Sequence, residues 1–504
     1  MKQNNTSRHV RLIAALLLIV TVFGLVLTAC KTSGDGNAST TTKTTTASGG
    51  DDTPTDSNRQ LVESLYGDYD FNAYDFKILG MASGSWWYGS FLGDTFNEIW
   101  YETDSADPLE SAIYKRNRLT EELLNITITP VWDGTDSTQD MVRKAIETGD
   151  TDYDIVLTSL YEALTLAMEG YCTNLLEVET LDLSNDWWDQ NMAESFTLFH
   201  SKLYTIAGHI NVYDDMAVNL LMFNKDMVQT LSLSNPYDLV KENNWTLQTM
   251  TDMAKKATFD TGDGNMGPED SWGMWIGGGA GVLASGFDQP KTKPNEEGVP
   301  QLMMGDEAYV NAASKLYELV FQNDISYQGD LDTEARDTMF SDNRLLFYWI
   351  VTCQLNRYRN TDTEFGIIPM PMRDNTQTRY SGSVNQHFFS SYIIPVFNQE
   401  LDRTGTILDV LGGMSTDTVY NTEFDTMLGY DSKLLRDNES KNMLDIIFST
   451  RQFDYSILDI GDVGKVYSTM NTWGSFQYES VYDTYKRGAN AKLKKIITAF
   501  EALP

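Results

Sequence analysis

Cysteine is scarce in this chain: three in 504 residues, at Cys30, Cys172 and Cys353. So few and so scattered, they exclude a disulfide framework and leave open only a single Cys172–Cys353 bridge. Histidine is nearly as rare. Beyond position 30 only His200, His209 and His387 occur, far apart and without paired cysteines, so no zinc-ligand spacing exists. Basic groups are also in deficit, with 37 Lys and Arg against 72 Asp and Glu for a net charge of −35. A field of that sign excludes nucleic acid, and attraction to anionic lipid, as the main partner. Most of it reads as a solvated acidic surface.

What is present begins with an apolar run over residues 12–27, preceded by Lys2, Arg8 and Arg11, the charge order of an export signal. Leu27-Thr28-Ala29-Cys30 closes it and resembles the lipobox of bacterial lipoproteins, in which cleavage precedes a thiol that is then acylated. Residues 1–29 are therefore expected to be a signal peptide, and Cys30 the lipid attachment point. Cleavage would remove three basic groups and no acidic ones, leaving −38. Residues 30–58 are mostly Ser, Thr, Gly and Asp, too poor in apolar groups to fold, and read as a flexible tether to the outer face of the cell membrane.

About 445 residues follow, too many for one ordinary core, which implies at least two lobes. Residues 76–81, 126–131 and 153–157 are short apolar or β-branched runs expected to be strands; 109–124 and 141–148 are expected to be helices between them. In such parallel sheets ligands gather beyond the carboxyl ends of the strands. The loops there, 83–90, 132–136 and 158–161, carry Trp86, Trp87 and Tyr88, Trp132 and Asp133, and Ser159 and Tyr161. Indole and phenol faces suit the polarised C–H groups of a pyranose, while carboxylates, amides and hydroxyls suit its edge, so the mixture fits carbohydrate. The alternative is a Trp pair that only buttresses a lobe edge.

Further along, Leu203-Tyr204-Thr205-Ile206, Leu221-Met222-Phe223-Asn224-Lys225-Asp226-Met227 and Asn244-Trp245-Thr246-Leu247 occur in order. They are preceded by Asp152-Tyr153-Asp154-Ile155-Val156 and followed by Phe365-Gly366-Ile367-Ile368-Pro369-Met370-Pro371 and Leu435-Arg436-Asp437-Asn438-Glu439-Ser440. Together these resemble the extracellular solute-binding proteins of ABC importers, the maltodextrin-binding type, in its lipid-anchored Gram-positive form. The resemblance implies an α/β, two-lobed periplasmic-binding-protein-like fold (type II), each lobe a mixed sheet flanked by helices, with ligand in the interlobe cleft. It implies a first lobe from 59–216 and 381–434, a second from 217–380, and a C-terminal helical segment, 435–504, packing mainly on the second. Read on their own, Thr246 and Asp437 are helix caps, ahead of inward stripes at Met250, Met253, Ala254 and Ala257 and at Met443, Leu444, Ile447 and Phe448.

The second lobe should supply opposing aromatics: Trp275, Trp473 in a loop-like setting where the resemblance implies a stacking ring, and Trp349, whose apolar neighbours equally suit a core position. Asp214 and Asp215 before the crossing could accept sugar hydroxyls or be exposed loop charge, and Asn385 lies where the chain returns. Residues 260–265, with Asp260 and Asp263, look like a calcium loop but put glycine at two ligand positions and Ser271 where a bidentate Glu belongs, so a tight turn is expected. Gly277-Gly278-Gly279 lacks the Lys-Ser or Lys-Thr of a phosphate cradle. The resulting expectation is a monomeric receptor without cofactor or metal. It would bind a neutral oligosaccharide of about two to five rings and deliver it to a permease. A surface glycoside hydrolase, which needs two carboxylates across one cleft, and a sensor or adhesion lipoprotein are the alternatives.

Overall fold

Parallel strands need long crossovers, and the first half of the chain provides them. β1 (Tyr74–Gly80) pairs in parallel with β2 (Ile126–Trp132), from Tyr74 opposite Ile126 to Gly80 opposite Trp132, and with β3 (Ile155–Ser159). The computed structural model describes residues 57–81, 96–132, 137–149, 151–276, 279–329, 331–428, 434–472 and 476–503, all within one unit, Asp56–Pro504. Helix Pro108–Leu124 joins β1 to β2. Asp107 caps it by accepting from the Leu109 and Glu110 amides, Pro108 sits in its first turn, and Asn125 ends it in the left-handed region at φ 50°. Helix Thr138–Thr148 joins β2 to β3, capped by Ser137 and stopped by Gly149 at φ 73°, a conformation glycine adopts without cost. Every residue of β3 is buried, as expected for a strand covered on both faces.

The second sheet is mixed. Its strands are β4 (Asn219–Asn224), β5 (Trp272–Trp275), β8 (Ser326–Tyr327), β9 (Leu345–Val351) and β10 (Phe365–Ile368), with a separate antiparallel ribbon, β6 (Thr292–Pro294) and β7 (Pro300–Leu302), between β5 and β8 in the chain. The order is β10-β4-β9-β5-β8. β4 runs antiparallel to β9 and β10, and β5 runs parallel to β9 and β8. Helix Leu247–Ala257, capped by the Thr246 hydroxyl, lies on β5 with Met250, Met253, Ala254 and Ala257 inward. The approach is close: a Cβ at Gly273 would stand 2.4 Å from that of Ala254, so the strand is glycine there.

The chain passes between the sheets twice, side by side. Val218 and Val384 form an antiparallel bridge, and the Asn385 amide donates to the Ala217 carbonyl at 2.7 Å. β11 (Gly382–Ser383) lies on this return path; β12 (Ser390–Ile393) then closes the first sheet antiparallel to β3, giving the order β12-β3-β1-β2. β13 (Arg451–Gln452) pairs in parallel with β11.

The C-terminal segment, expected to pack mainly on 217–380, makes contacts with that part of the chain and with the part before the crossing. Helix Asn438–Ser449, capped by Asp437, does pack there, on β10, with an ion pair from Lys225 to Asp437. Beyond it, however, Tyr455 donates to the Phe196 carbonyl at 3.0 Å, and Phe500 of the last helix, Tyr478–Glu501, stacks on Tyr204 at 5.5 Å. The same helix reaches the other side through Tyr478, which donates to the Met304 carbonyl. The segment is thus shared, because its aromatic residues find buried partners before and after the crossing.

Cys172 and Cys353 are both buried free thiols. Among the described residues no helix is long and apolar enough to cross a membrane. Cys30 and the expected signal and tether lie outside the described residues.

Candidate functional site

β1, β2 and β3 are parallel neighbours, so Gly80, Trp132 and Ser159 finish at one edge of the first sheet. Trp86, Trp87, Tyr88 and Asp133, expected in the loops beyond that edge, fall outside the described residues, as does Trp473. Trp132 is half-buried and leans on the first-sheet core. Ser159 is buried, and its hydroxyl oxygen accepts from the Glu162 amide at 3.3 Å as the cap of helix Leu160–Met168, a structural use of the group expected to meet ligand. Tyr161, the second residue of that helix, is half-exposed and holds its ring 4.8 Å from that of His387 on the return crossing.

His387 opens the way to the larger feature. A cavity of about 510 Å³ lies between the ends of β5 and β9, helix Thr333–Ser341, and the returning stretch 383–388. Trp275 and Trp349 stand together on its wall with rings near parallel, 21° apart and 6.4 Å between centroids. Neighbouring strands place them so, Trp275 opposite Tyr348 in the parallel β5–β9 register. Trp349 is the one residue of β9 that is only partly buried, so its apolar neighbours form the core while its own ring faces the cavity rim. The loop residue Gly279 admits that ring, since a Cβ there would lie 2.2 Å from the indole nitrogen. Polar side chains complete the wall, among them Asn219, Gln354, Asn385 and Gln386, with Arg336, Arg357 and Lys291. Asn385 is therefore placed with Trp275 and Trp349. A second cavity of about 320 Å³ continues from this one, sharing Gly281, Lys291, Ser383, Val384, Gln386 and Gly464.

Asp214 and Asp215 go elsewhere, and they are not exposed loop charge. They are 4% exposed, and Arg451 holds them at 3.5 and 2.5 Å while also pairing with Asp189 at 2.8 Å. Both carboxyls lie above the ordinary carboxylate range, through burial first; for Asp214 the neighbouring Asp215 charge adds to it. Glu423, fully buried nearby, is raised by burial and by the same two aspartates. Burial, helped by the Arg451 charge, drops the His209 imidazole to about 4; its Nδ1 meets Thr416 Oγ1 at 2.8 Å and its ring stacks on Tyr420. This cluster lines a separate cavity of about 380 Å³ against Trp188 and Asp445. Sequence reading missed Arg451, Arg336 and Gln354, and of the 383–388 stretch it named only Asn385; the polar run Asn385-Gln386-His387 between strands was the available signal.

The acidic loop is a turn. Asp260 accepts from the amides of Gly262, Asp263 and Gly264, and Asp270 from those of Thr261 and Gly267. Asp260, Asp263 and Asp270 offer oxygens within 4.8 Å of one another, but those of Asp260 and Asp270 are turned on the loop's own N–H groups. Gly262 and Gly264 take the positive φ values, 136° and 88°, that the turn requires.

The description of the bacterial extracellular solute-binding proteins matches residues 116–411, more than half of the chain. The chain belongs to that family. This solute-binding protein has the fold of M. tuberculosis UspC, with 10% identity and a TM-score of 0.53 over 83% of this chain and 100% of the other. The expected α/β periplasmic-binding-protein-like fold is thus present. Two further similar structures have lower TM-scores. The ABC substrate-binding protein Lmo0181 from Listeria monocytogenes, in complex with cycloalternan, has 10% identity and a TM-score of 0.49, covering 84% of this chain and 99% of its own. The maltose-binding protein MalE from the same organism, in complex with maltose, has 15% identity and a TM-score of 0.48, covering 84% and 97%. No curated protein matches the chain in sequence.

Proposed function

We propose that this solute-binding protein is the receptor of an ABC importer, anchored on the outer face of the membrane through lipid on Cys30. In this reading it closes its lobes, 59–216 with 381–434 and 217–380, on an oligosaccharide and delivers it to the permease as a monomer. The observation that carries the reading is the paired Trp275 and Trp349 wall facing amides from both crossings, Asn219 and Asn385. Flat rings with amide and hydroxyl edges match a pyranose chain, and the continuous second cavity gives length for more than one ring. Trp86, Trp87, Tyr88, Trp132, Asp133 and Tyr161 would meet the ligand from the first lobe, and Trp473 from the C-terminal segment. The two adjacent crossings supply the hinge, and a ligand touching both lobes favours closure because it binds the closed form better.

A thermal-shift screen of the mature chain against oligosaccharides, amino acids and peptides tests the class. Saccharides alone should raise the melting temperature, by the equivalent of roughly 2.7 kcal/mol at one hundred times Kd. Amino acids or peptides as the only hits would refute the sugar reading. The hydrolase alternative is separated by incubation with the stabilising saccharide: no new reducing ends should form.

A further inference from the structure

Charge at the Trp275–Trp349 cavity runs against the charge of the molecule. The chain carries 72 acidic and 37 basic side chains, yet Arg336, Arg357 and Lys291 line this cavity and no Asp or Glu does among its described residues. Arg336 is the least compensated. Its guanidinium lies 4.2 Å over the Trp275 ring, its Nε donates to the Asp332 carbonyl at 3.2 Å, its Nη2 to Thr333 Oγ1 at 2.8 Å, and among the described residues it makes no ion pair. Arg357 pairs with Asp337 at 3.1 Å, but that carboxylate also accepts from Tyr348 and Tyr358. Lys291 Nζ is 3.4 Å from the Ser456 hydroxyl, and its backbone N–H donates to Asp454. Cations therefore outnumber carboxylates among the described residues of this wall, and a ligand that carries an anionic acceptor complements it. The continuing cavity is more evenly balanced, lined by Asp454, Asp459 and Asp462 with Lys291 and Lys465, carboxylates that suit neutral hydroxyls.

Resting on the saccharide reading of the same site, we infer that the ligand is an acidic oligosaccharide, a chain with a uronic acid whose carboxylate sits between Arg336 and Arg357 beside Trp275. The planar guanidinium fork matches a carboxylate, and stacking on Trp275 fixes the fork of Arg336 in advance. The remaining rings extend toward the continuing cavity. Confinement against indole walls strengthens these charges relative to the same groups in open water.

Calorimetric titration of the mature chain with a tri-uronate, with its fully methyl-esterified counterpart, with a sulfated trisaccharide and with neutral maltotriose decides this. The tri-uronate should bind at least tenfold more tightly than its ester at low salt, and the gap should narrow as salt is raised. Arg336→Gln and Arg357→Gln should each bring the acid toward the affinity of the ester, lowering the affinity for the acid by a much larger factor than that for the ester. Equal or tighter binding of the ester overturns the inference, as does preference for the sulfated chain. If only uncharged chains bind, the saccharide reading stands and this inference falls; if none of the four binds, both fall.

Discussion

Asp409→Ala is expected to destabilise the chain by on the order of 5 kcal/mol, enough to unfold a protein of ordinary stability. Asp409 is fully buried in helix Leu401–Ser415 and accepts from five donors: the Trp187 and Trp188 indoles at 2.7 and 2.8 Å, Asn185 at 3.0 Å, the Asp182 amide at 3.3 Å and the Tyr66 hydroxyl. Removing it strands several buried donors at once, each costing about 1–3 kcal/mol before relaxation. Burial lifts its carboxyl above the ordinary value even with this set of donors. Asp409→Asn keeps the shape but points an amide N–H₂ at donors, so its loss should be intermediate. Denaturant unfolding of both variants checks the order; an alanine variant within about 1 kcal/mol of wild type would show that the hub carries little of the stability.

Arg451→Met should cost about 3–5 kcal/mol, because it leaves Asp189, Asp214 and Asp215 buried without their cation. The loss should depend on pH with a definite sign. Asp214 and Asp215 have folded values raised above their ordinary 3.8, so the native state holds protons the unfolded chain has released. Their contribution is present at the bottom of that window and is lost as pH rises through it. Without Arg451 the window widens, and the deficit should be greater at pH 8 than at pH 5. His209 runs the other way, with a folded value of about 4 against 6.5, so wild type loses stability as pH falls through that range; removing the nearby Arg451 charge eases this and adds to the relative recovery at low pH. Adding Asp214→Asn and Asp215→Asn to Arg451→Met should recover much of the loss. Urea titrations across pH 5–8 measure it, and a deficit that is flat in pH and not recovered would remove the uncompensated-charge explanation.

The strands of the first sheet were legible because they are short, β-branched and set between helices with visible caps. Phe76, Ile78 and Leu79, and then residues 155–159, sit as buried as their pattern implies. Thr246 and Asp437 act as caps, for a local reason: a side-chain oxygen and the amide three residues on are close in sequence. The site was legible only where one residue type declared itself. Trp275 was named by type and setting and Asn385 by its place on the return crossing that the resemblance implies, and both line the same cavity; Trp349 was balanced between wall and core because an all-apolar strand hides which face is lined. Arg451 with Asp214, and Asp409 with Trp187, are more than 200 positions apart and leave no local pattern at all.

Closure of the two lobes on a ligand at Trp275 and Trp349 is the center of the account, and small-angle scattering of the mature chain tests it most directly. With the saccharide that gives the largest thermal shift at saturation, the radius of gyration of wild type should fall, while Trp349→Ala at the same ligand concentration should remain as extended as the ligand-free protein. An unchanged radius in saturated wild type, or full compaction of Trp349→Ala with unaltered affinity, would contradict a clamp built around that wall.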